Sequence, residues 1–160
     1  MTISVGDKIP SATVMMATDE GPNQADAADV LGGGKVALFS LPGAFTPTCS
    51  AKHLPGFVEK AAEFKSKGVD KIVCMSVNDA FVMSAWAKDQ NAGDKVEMLA
   101  DGNGDFARAL GLTMDGTGFG MGARAQRFSA IIEDGVVKEL NVEEPGAFDV
   151  SSAEHMLGQL

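Results

Sequence analysis

The residue best placed to do chemistry in this sequence is Cys49, which closes the run Pro42-Gly43-Ala44-Phe45-Thr46-Pro47-Thr48-Cys49. A cysteine acts as a nucleophile through its thiolate, so its surroundings must favour negative charge. The run joins an apolar stretch to the start of an amphipathic one, where a strand would hand over to a helix. Backbone N–H groups in the first turn of a helix have no intrahelical partner, and they carry the positive end of the helix dipole. A cysteine in that turn is expected to have a depressed pKa and to be thiolate at neutral pH. Thr46 lies within one helical turn of Cys49, and its hydroxyl can cap the helix or reach the sulfur. Pro47 suits the first helical position, and Pro42 can shield a thiolate from bulk water. The alternative is a buried helix-start cysteine that only packs. The prolines and Thr46 favour the reactive reading.

Peroxide reduction is a reaction such a site can perform with few parts. The thiolate attacks one peroxide oxygen in line, and hydroxide or alkoxide leaves. The protein has to align the O–O bond and stabilise charge on both oxygens. Backbone N–H groups, a hydroxyl and an arginine suffice, and neither metal nor organic cofactor is required. The sulfur becomes a sulfenic acid, which a second thiol reduces. The second cysteine, Cys74, lies in Ile72-Val73-Cys74-Met75-Ser76-Val77, which reads as a central strand, and its expected role is packing. A Cys49–Cys74 disulfide needs Cα atoms within about 7 Å, and a strand residue and a helix-start residue are expected to meet only after local unfolding.

The elements that must position Cys49 follow from periodicity. Residues 35–41 read as a buried strand ended by Pro42-Gly43. From 49 to about 67, Leu54, Phe57, Val58, Ala61 and Phe64 recur at helical spacing, with Pro55 as a possible kink and Gly68 as a stop. A second strand is expected over 71–77. Phe81, Val82, Ala85 and Trp86 then make the apolar face of a helix. A third strand follows at 96–100, and a short helix around 106–110. Residues 116–122 read as a flexible glycine-rich surface loop, lacking the Gly-Lys-Ser/Thr ending of a phosphate cradle. Asp134-Gly135, between runs 127–133 and 136–142, signals a hairpin. Ser151-x-x-Glu154 resembles a capping box for a final helix. Alternating strands and helices imply parallel strands, and the closing hairpin makes the sheet mixed. The expected fold is α/β: a thioredoxin-like three-layer domain over 1–160 with a mixed central sheet.

Composition narrows the function. The 160 residues suit one domain with a full core, and a formal net charge of −9 argues against a nucleic-acid surface. No apolar run approaches the roughly 20 residues of a membrane span. The opening residues show no basic-then-apolar signal pattern, so a cytoplasmic location is the default expectation. Two cysteines are too few for a disulfide scaffold, and no Cys/His cluster has zinc spacing.

Pro-Gly-Ala-Phe-Thr-Pro-Thr-Cys at 42–49 resembles the peroxiredoxin signature Pro-x-x-x-Thr-x-x-Cys. Lys52-His53-Leu54-Pro55-Gly56-Phe57, Ser76-Val77-Asn78-Asp79-Ala80-Phe81-Val82, Leu99-Ala100-Asp101-Gly102 and Arg127-Phe128-Ser129 are similar to the atypical branch called peroxiredoxin 5 or type II. The resemblance spans nearly the whole chain. It implies a thiol peroxidase for hydrogen peroxide and small alkyl hydroperoxides, with Pro42, Thr46, Cys49 and an arginine as the site. Arg127 matches the family arginine best, and Arg124, expected to be a solvated charge, competes with it. The resemblance also implies recycling by glutathione, glutaredoxin or thioredoxin, and a homodimer. Some members of the branch use a C-terminal resolving cysteine, which this sequence lacks.

Three rival readings carry less. A Cys–His hydrolase would use His53, but a side chain four residues along a helix is expected to point away from the sulfur, and no orienting partner is evident. A thioredoxin-type exchanger would need cysteine where Thr46 stands. An interaction module would use Phe45, Phe119 and Met121 as contacts, and Trp86 is expected in the core or at a dimer contact.

Overall fold

A computed structural model describes residues 2–160 of the chain. The elements are strands β1 (Thr13–Thr18) and β2 (Gly21–Asp26), a short helix α1 (Ala27–Val30), β3 (Lys35–Ser40), a helical segment discussed below, β4 (Lys71–Ser76), α4 (Ala80–Asp89), β5 (Glu97–Ala100), α5 (Asp105–Leu110), β6 (Thr113–Asp115), β7 (Ala123–Ala125), β8 (Phe128–Glu133), β9 (Val136–Val142) and α6 (Ala153–Leu157). The main sheet has seven strands in the order β2-β1-β5-β4-β3-β8-β9. β3, β4 and β5 run parallel, while β8 pairs antiparallel to β3 and β1 antiparallel to β5. The mixed sheet expected from the sequence is therefore present.

Strand alternation sends side chains to opposite faces, and each face builds its own core. On β3, Ala37 and Phe39 join a cluster with Phe57, Phe64, Met83, Trp86 and Met156. Val36 and Leu38 join a second cluster with Leu31, Phe106, Leu110 and Ile132. Helices thus cover both faces, which gives the three layers. Phe39 stacks on Phe57 at a centroid distance of 4.0 Å, and Phe57 on Phe64 at 5.3 Å. This ladder ties the central strand to the helix carrying Cys49, and truncating one ring to alanine typically costs about 3–5 kcal/mol.

The Cys49 helix differs from the expected continuous one. Helical backbone begins at Pro47, widens into a π-turn over Cys49–His53, continues as α2 (Leu54–Glu59), breaks at Lys60 and resumes as α3 (Ala61–Ser66). In the π-turn the N–H of Leu54 reaches back to the Cys49 carbonyl. Pro55 follows at once and has no N–H to donate, so it marks a change in the ladder, as the kink reading anticipated, but the departure lies in the turn before it.

Other differences are local. The β1–β2 hairpin was not foreseen because β2 is a polar edge strand, Gly-Pro-Asn-Gln-Ala-Asp, without apolar alternation. Proline is tolerated at such an edge. In α4 the buried stripe is Ala80, Met83 and Trp86, whereas Phe81 is 73% exposed. The glycine-rich loop carries a 3₁₀ turn over Thr117–Phe119 and forms the tip of a hairpin between β6 and β7. The last helix is capped by Ser152, whose hydroxyl accepts from the His155 N–H, so the capping-box reading was one residue early. Asp134 and Gly135 turn the β8–β9 hairpin with φ of 50° and 81°, the positive values that a two-residue hairpin loop demands.

Candidate active site

β3 ends at Ser40, and the chain turns through 41–46 into the Cys49 helix. Asn78, just beyond β4, fixes that turn: its Oδ1 accepts from the Ala44 N–H at 2.9 Å and from the Ser76 hydroxyl at 2.6 Å. Phe45 is held at φ 65°, a region a bulky residue enters only when its surroundings impose it. No spacing rule in the sequence singles out Asn78.

An open pocket of about 750 Å³ lies over the site, and Pro42, Thr46, Arg127, Met114, Phe119 and Pro145 are among the residues lining it. Cys49 is fully buried. Arg127, between β7 and β8, donates from Nη2 to Cys49 Sγ at 3.0 Å. The structure thus brings Pro42, Thr46, Cys49 and Arg127 to one place. The Thr46 hydroxyl neither caps the helix nor donates to the sulfur. It donates to the Gly43 carbonyl at 2.7 Å, which leaves its oxygen lone pairs to accept a proton from a bound molecule.

Arg124 is not the solvated charge expected of it. It is half-buried, donating from Nε to the Met121 carbonyl at 2.9 Å and from Nη1 to the Pro42 carbonyl at 3.4 Å. It therefore braces the β6–β7 hairpin against the loop that carries Pro42, and it makes no contact with the sulfur.

His53 makes no hydrogen bond to the sulfur, in line with the case against a Cys–His hydrolase, but it does have orienting partners, contrary to expectation. His53 is fully buried, and its Nδ1 lies 2.8 Å from Arg127 Nη1. Its Nε2 lies 2.9 Å from the Ser151 carbonyl. A carbonyl only accepts and a guanidinium only donates, so the ring is the neutral tautomer with its proton on Nε2. Burial, and then the Arg127 charge, push its pKa down to about 3. Beyond it, the Glu143 carboxylate accepts from the Ser151 N–H and hydroxyl and from the Asp149 N–H. Burial would raise the Glu143 pKa, but the Ser151 hydroxyl and these N–H groups outweigh it and hold the carboxyl below its usual range.

Cys74 sits in β4, opposite Phe39 of β3 and Met98 of β5. It is fully buried, and burial first, then the neighbouring Cys49, pushes its thiol pKa well above the usual value. Both cysteines are free thiols. Trp86 is fully buried, and its indole N–H donates to the Ser50 hydroxyl at 2.9 Å, next to Cys49 in the π-turn.

Residues 4–157 match the Redoxin family model. The chain is 51% identical to Peroxiredoxin-2E, chloroplastic, of Arabidopsis thaliana, over 99% of this chain and 70% of that protein. It is 48% identical to Peroxiredoxin-2B of the same plant, over 99% of this chain and 98% of that protein. Among solved structures, reduced Prx3 from Vibrio vulnificus in complex with hydrogen peroxide superposes with a TM-score of 0.94 at 50% identity, covering 99% of both chains. A family match over nearly the whole chain, set on a strand–loop–helix site with a buried cysteine under an arginine, means that the chain belongs to the Redoxin family and is a thiol peroxidase of the type II peroxiredoxins.

Proposed function

We propose that Cys49 is the residue that reduces peroxide, with Thr46, Arg127 and Pro42 completing the site. The observation that carries this reading is the 3.0 Å contact from Arg127 Nη2 to Cys49 Sγ beneath an open pocket. The guanidinium is a fixed cation whose donors face the sulfur and the space beside it. A hydroperoxide entering the pocket can donate its O–H proton to the Thr46 oxygen, whose own proton is engaged by Gly43. That contact, with the Arg127 fork, would hold the O–O bond along the line of attack. Sulfur then bonds to the near oxygen and the O–O bond breaks. The far oxygen leaves as hydroxide or alkoxide and takes up a proton, and Cys49 becomes a sulfenic acid. Pro42 closes the site against bulk water.

The substrates proposed are hydrogen peroxide and small alkyl hydroperoxides. Met114, Phe119, Met121 and Pro145 give the pocket apolar wall for a short alkyl group. For recycling we infer an external thiol, with glutathione or a glutaredoxin ahead of thioredoxin. One thiol condenses with the sulfenic acid, releasing water and leaving a mixed disulfide. A second thiol then attacks that disulfide and frees Cys49. Cys74 is a poor internal partner because its buried thiol is held protonated within the sheet. A homodimer belongs to the same reading, supported by Phe45 and Phe81, which stand 53% and 73% exposed beside the site loop and at the start of α4.

The deciding experiment is the intact mass of the reduced protein after one equivalent of hydrogen peroxide, with and without a sulfenic-acid trap. Trap adduct on Cys49 within seconds supports the reading with an external reductant. Loss of two hydrogens without adduct makes Cys74 the resolving thiol. An unchanged mass at neutral pH overturns the assignment of Cys49.

A further inference from the structure

We propose that His53 is a positioning residue of the peroxidase site: its neutral imidazole holds the Arg127 guanidinium in the orientation that presents Nη2 to Cys49. The proposal rests on Cys49 being the reacting residue, and it adds a group to that site which does not touch peroxide.

The argument begins with what one contact could not do. A single hydrogen bond from Nη2 to sulfur leaves a long arginine side chain free to swing toward the open pocket, where water would solvate it. Arg127 is instead held at several points. Nη2 meets Cys49 Sγ at 3.0 Å, Nη1 meets His53 Nδ1 at 2.8 Å, and its Cζ lies 5.9 Å from the centre of the Phe148 ring. Two donors of one planar group, each with its own acceptor, fix the plane as well as the position.

His53 can serve as that second acceptor because it is itself immobilised. Its ring lies 4.9 Å from Phe39, 5.8 Å from Phe57 and 5.0 Å from Phe148, centre to centre. Its Nε2 donates to the Ser151 carbonyl, and Glu143 clamps the segment bearing that carbonyl. The charged and titratable groups around it are therefore Arg127 and Cys49 on the site side and the Glu143 carboxylate behind Ser151. Neutrality is essential, since a protonated ring would present an N–H to the guanidinium in place of a lone pair. Burial and the Arg127 charge both act against that protonation. Both ring nitrogens are committed and the residue is fully buried, so His53 is not placed to move protons for the substrate.

The test uses substitutions that separate its two bonds. In His53→Asn, Oδ1 takes the place of Nδ1 and keeps an acceptor for Arg127, while the bond to Ser151 is lost. In His53→Gln, the longer amide reaches toward Ser151 and the acceptor near Arg127 is lost. His53→Leu removes both. Each purified protein is measured for its rate of single-turnover oxidation by hydrogen peroxide, for the pH profile of Cys49 alkylation by iodoacetamide, and for thermal stability. We expect His53→Leu to oxidise about 10- to 100-fold more slowly than the parent, with its alkylation profile moved toward alkaline pH. His53→Asn should recover most of that loss, and His53→Gln little of it, whichever of the two is the more stable. Should His53→Leu not fold, the Asn and Gln variants decide alone. Equal rates and unshifted profiles in Asn and Gln, or rates that simply follow thermal stability, overturn the proposal and leave His53 as a packing residue. A parent protein that does not react with peroxide at all would instead overturn the assignment of Cys49.

Discussion

Cys49 and Cys74 are hidden from solvent to the same degree, each with 0% exposure, yet they sit in opposite chemical surroundings. Cys74 is enclosed by the sheet, its neighbours in the adjacent strands being Phe39 and Met98. Burial there disfavours charge, and the thiol behaves as a small apolar side chain. Cys49 is enclosed by a helix turn and a loop, under an arginine donor and the floor of a pocket. Solvent exposure does not separate the two thiols in this molecule. What separates them is a cation that is itself held in place, and a pocket lined by Pro42, Thr46 and that same cation.

The largest test of that contrast is removal of the sulfur. Cys49→Ser should abolish peroxide consumption with a thiol reductant while the far-ultraviolet dichroism stays that of the parent, and residual turnover above one per cent would mean that another group reacts. Next comes the cation. Arg127→Gln should slow single-turnover oxidation by about two to three orders of magnitude, the loss typical of a donor that stabilises developing charge. A rate within threefold of the parent would remove the feature on which the comparison turns. Thr46→Val should follow, at one to three orders of magnitude slower, and peroxide concentration dependence would show whether binding or the chemical step is lost.

Acid provides a fourth, smaller effect, on stability. The His53 pKa is about 3 in the folded chain against 6.5 for an unperturbed histidine. The unfolded state then binds the proton first, so this contribution is complete above about pH 6.5 and is lost as pH falls toward 3, at a slope of up to about 1.4 kcal/mol per pH unit. Glu143, with its lowered pKa, adds to the loss in the carboxylate range below. Urea midpoints between pH 7 and 4.5 should decline in the parent and stay nearly level in His53→Leu, and an equal decline in both would contradict a neutral buried ring. Smallest in activity is Cys74→Ser. Its turnover should stay within twofold of the parent, with about 1–2 kcal/mol lost from stability because a hydroxyl is buried without a sure partner. A variant unable to complete a cycle would make Cys74 part of the chemistry.

Much of this is legible in the amino-acid sequence. Strand–loop–helix punctuation located Cys49 and Thr46, because Pro42-Gly43 ends an apolar run and Pro47 can open a helix. The β8–β9 hairpin was readable from Asp134-Gly135 because few residue pairs tolerate two positive φ values. Arg127 came only through resemblance, since an arginine some 78 positions from the cysteine carries no spacing signal. The orienting partners of His53 were missed because Arg127 and Ser151 stand 74 and 98 positions away and carry no spacing signal. Asn78 and Glu143 were missed for a general reason: they accept from backbone N–H groups and serine hydroxyls of irregular segments, and nothing in their type or spacing distinguishes them from surface polar residues. Phe81 was placed on the apolar face of a helix with Trp86, yet it stands 73% exposed, because apolarity alone does not tell which residues of such a face are covered.

The π-turn also sets a phase. An α-helix turns about 100° per residue, so Cys49 and Leu54 in a regular helix would stand about 140° apart around its axis. The wider turn lets the Leu54 N–H lie over the Cys49 carbonyl, and Cys49, His53, Leu54 and Phe57 all face inward with 0% exposure. A regular helix through the same residues would have to choose between two alignments: its sulfur toward the arginine, or its leucine and phenylalanine toward the sheet. One surplus residue in the winding removes that choice.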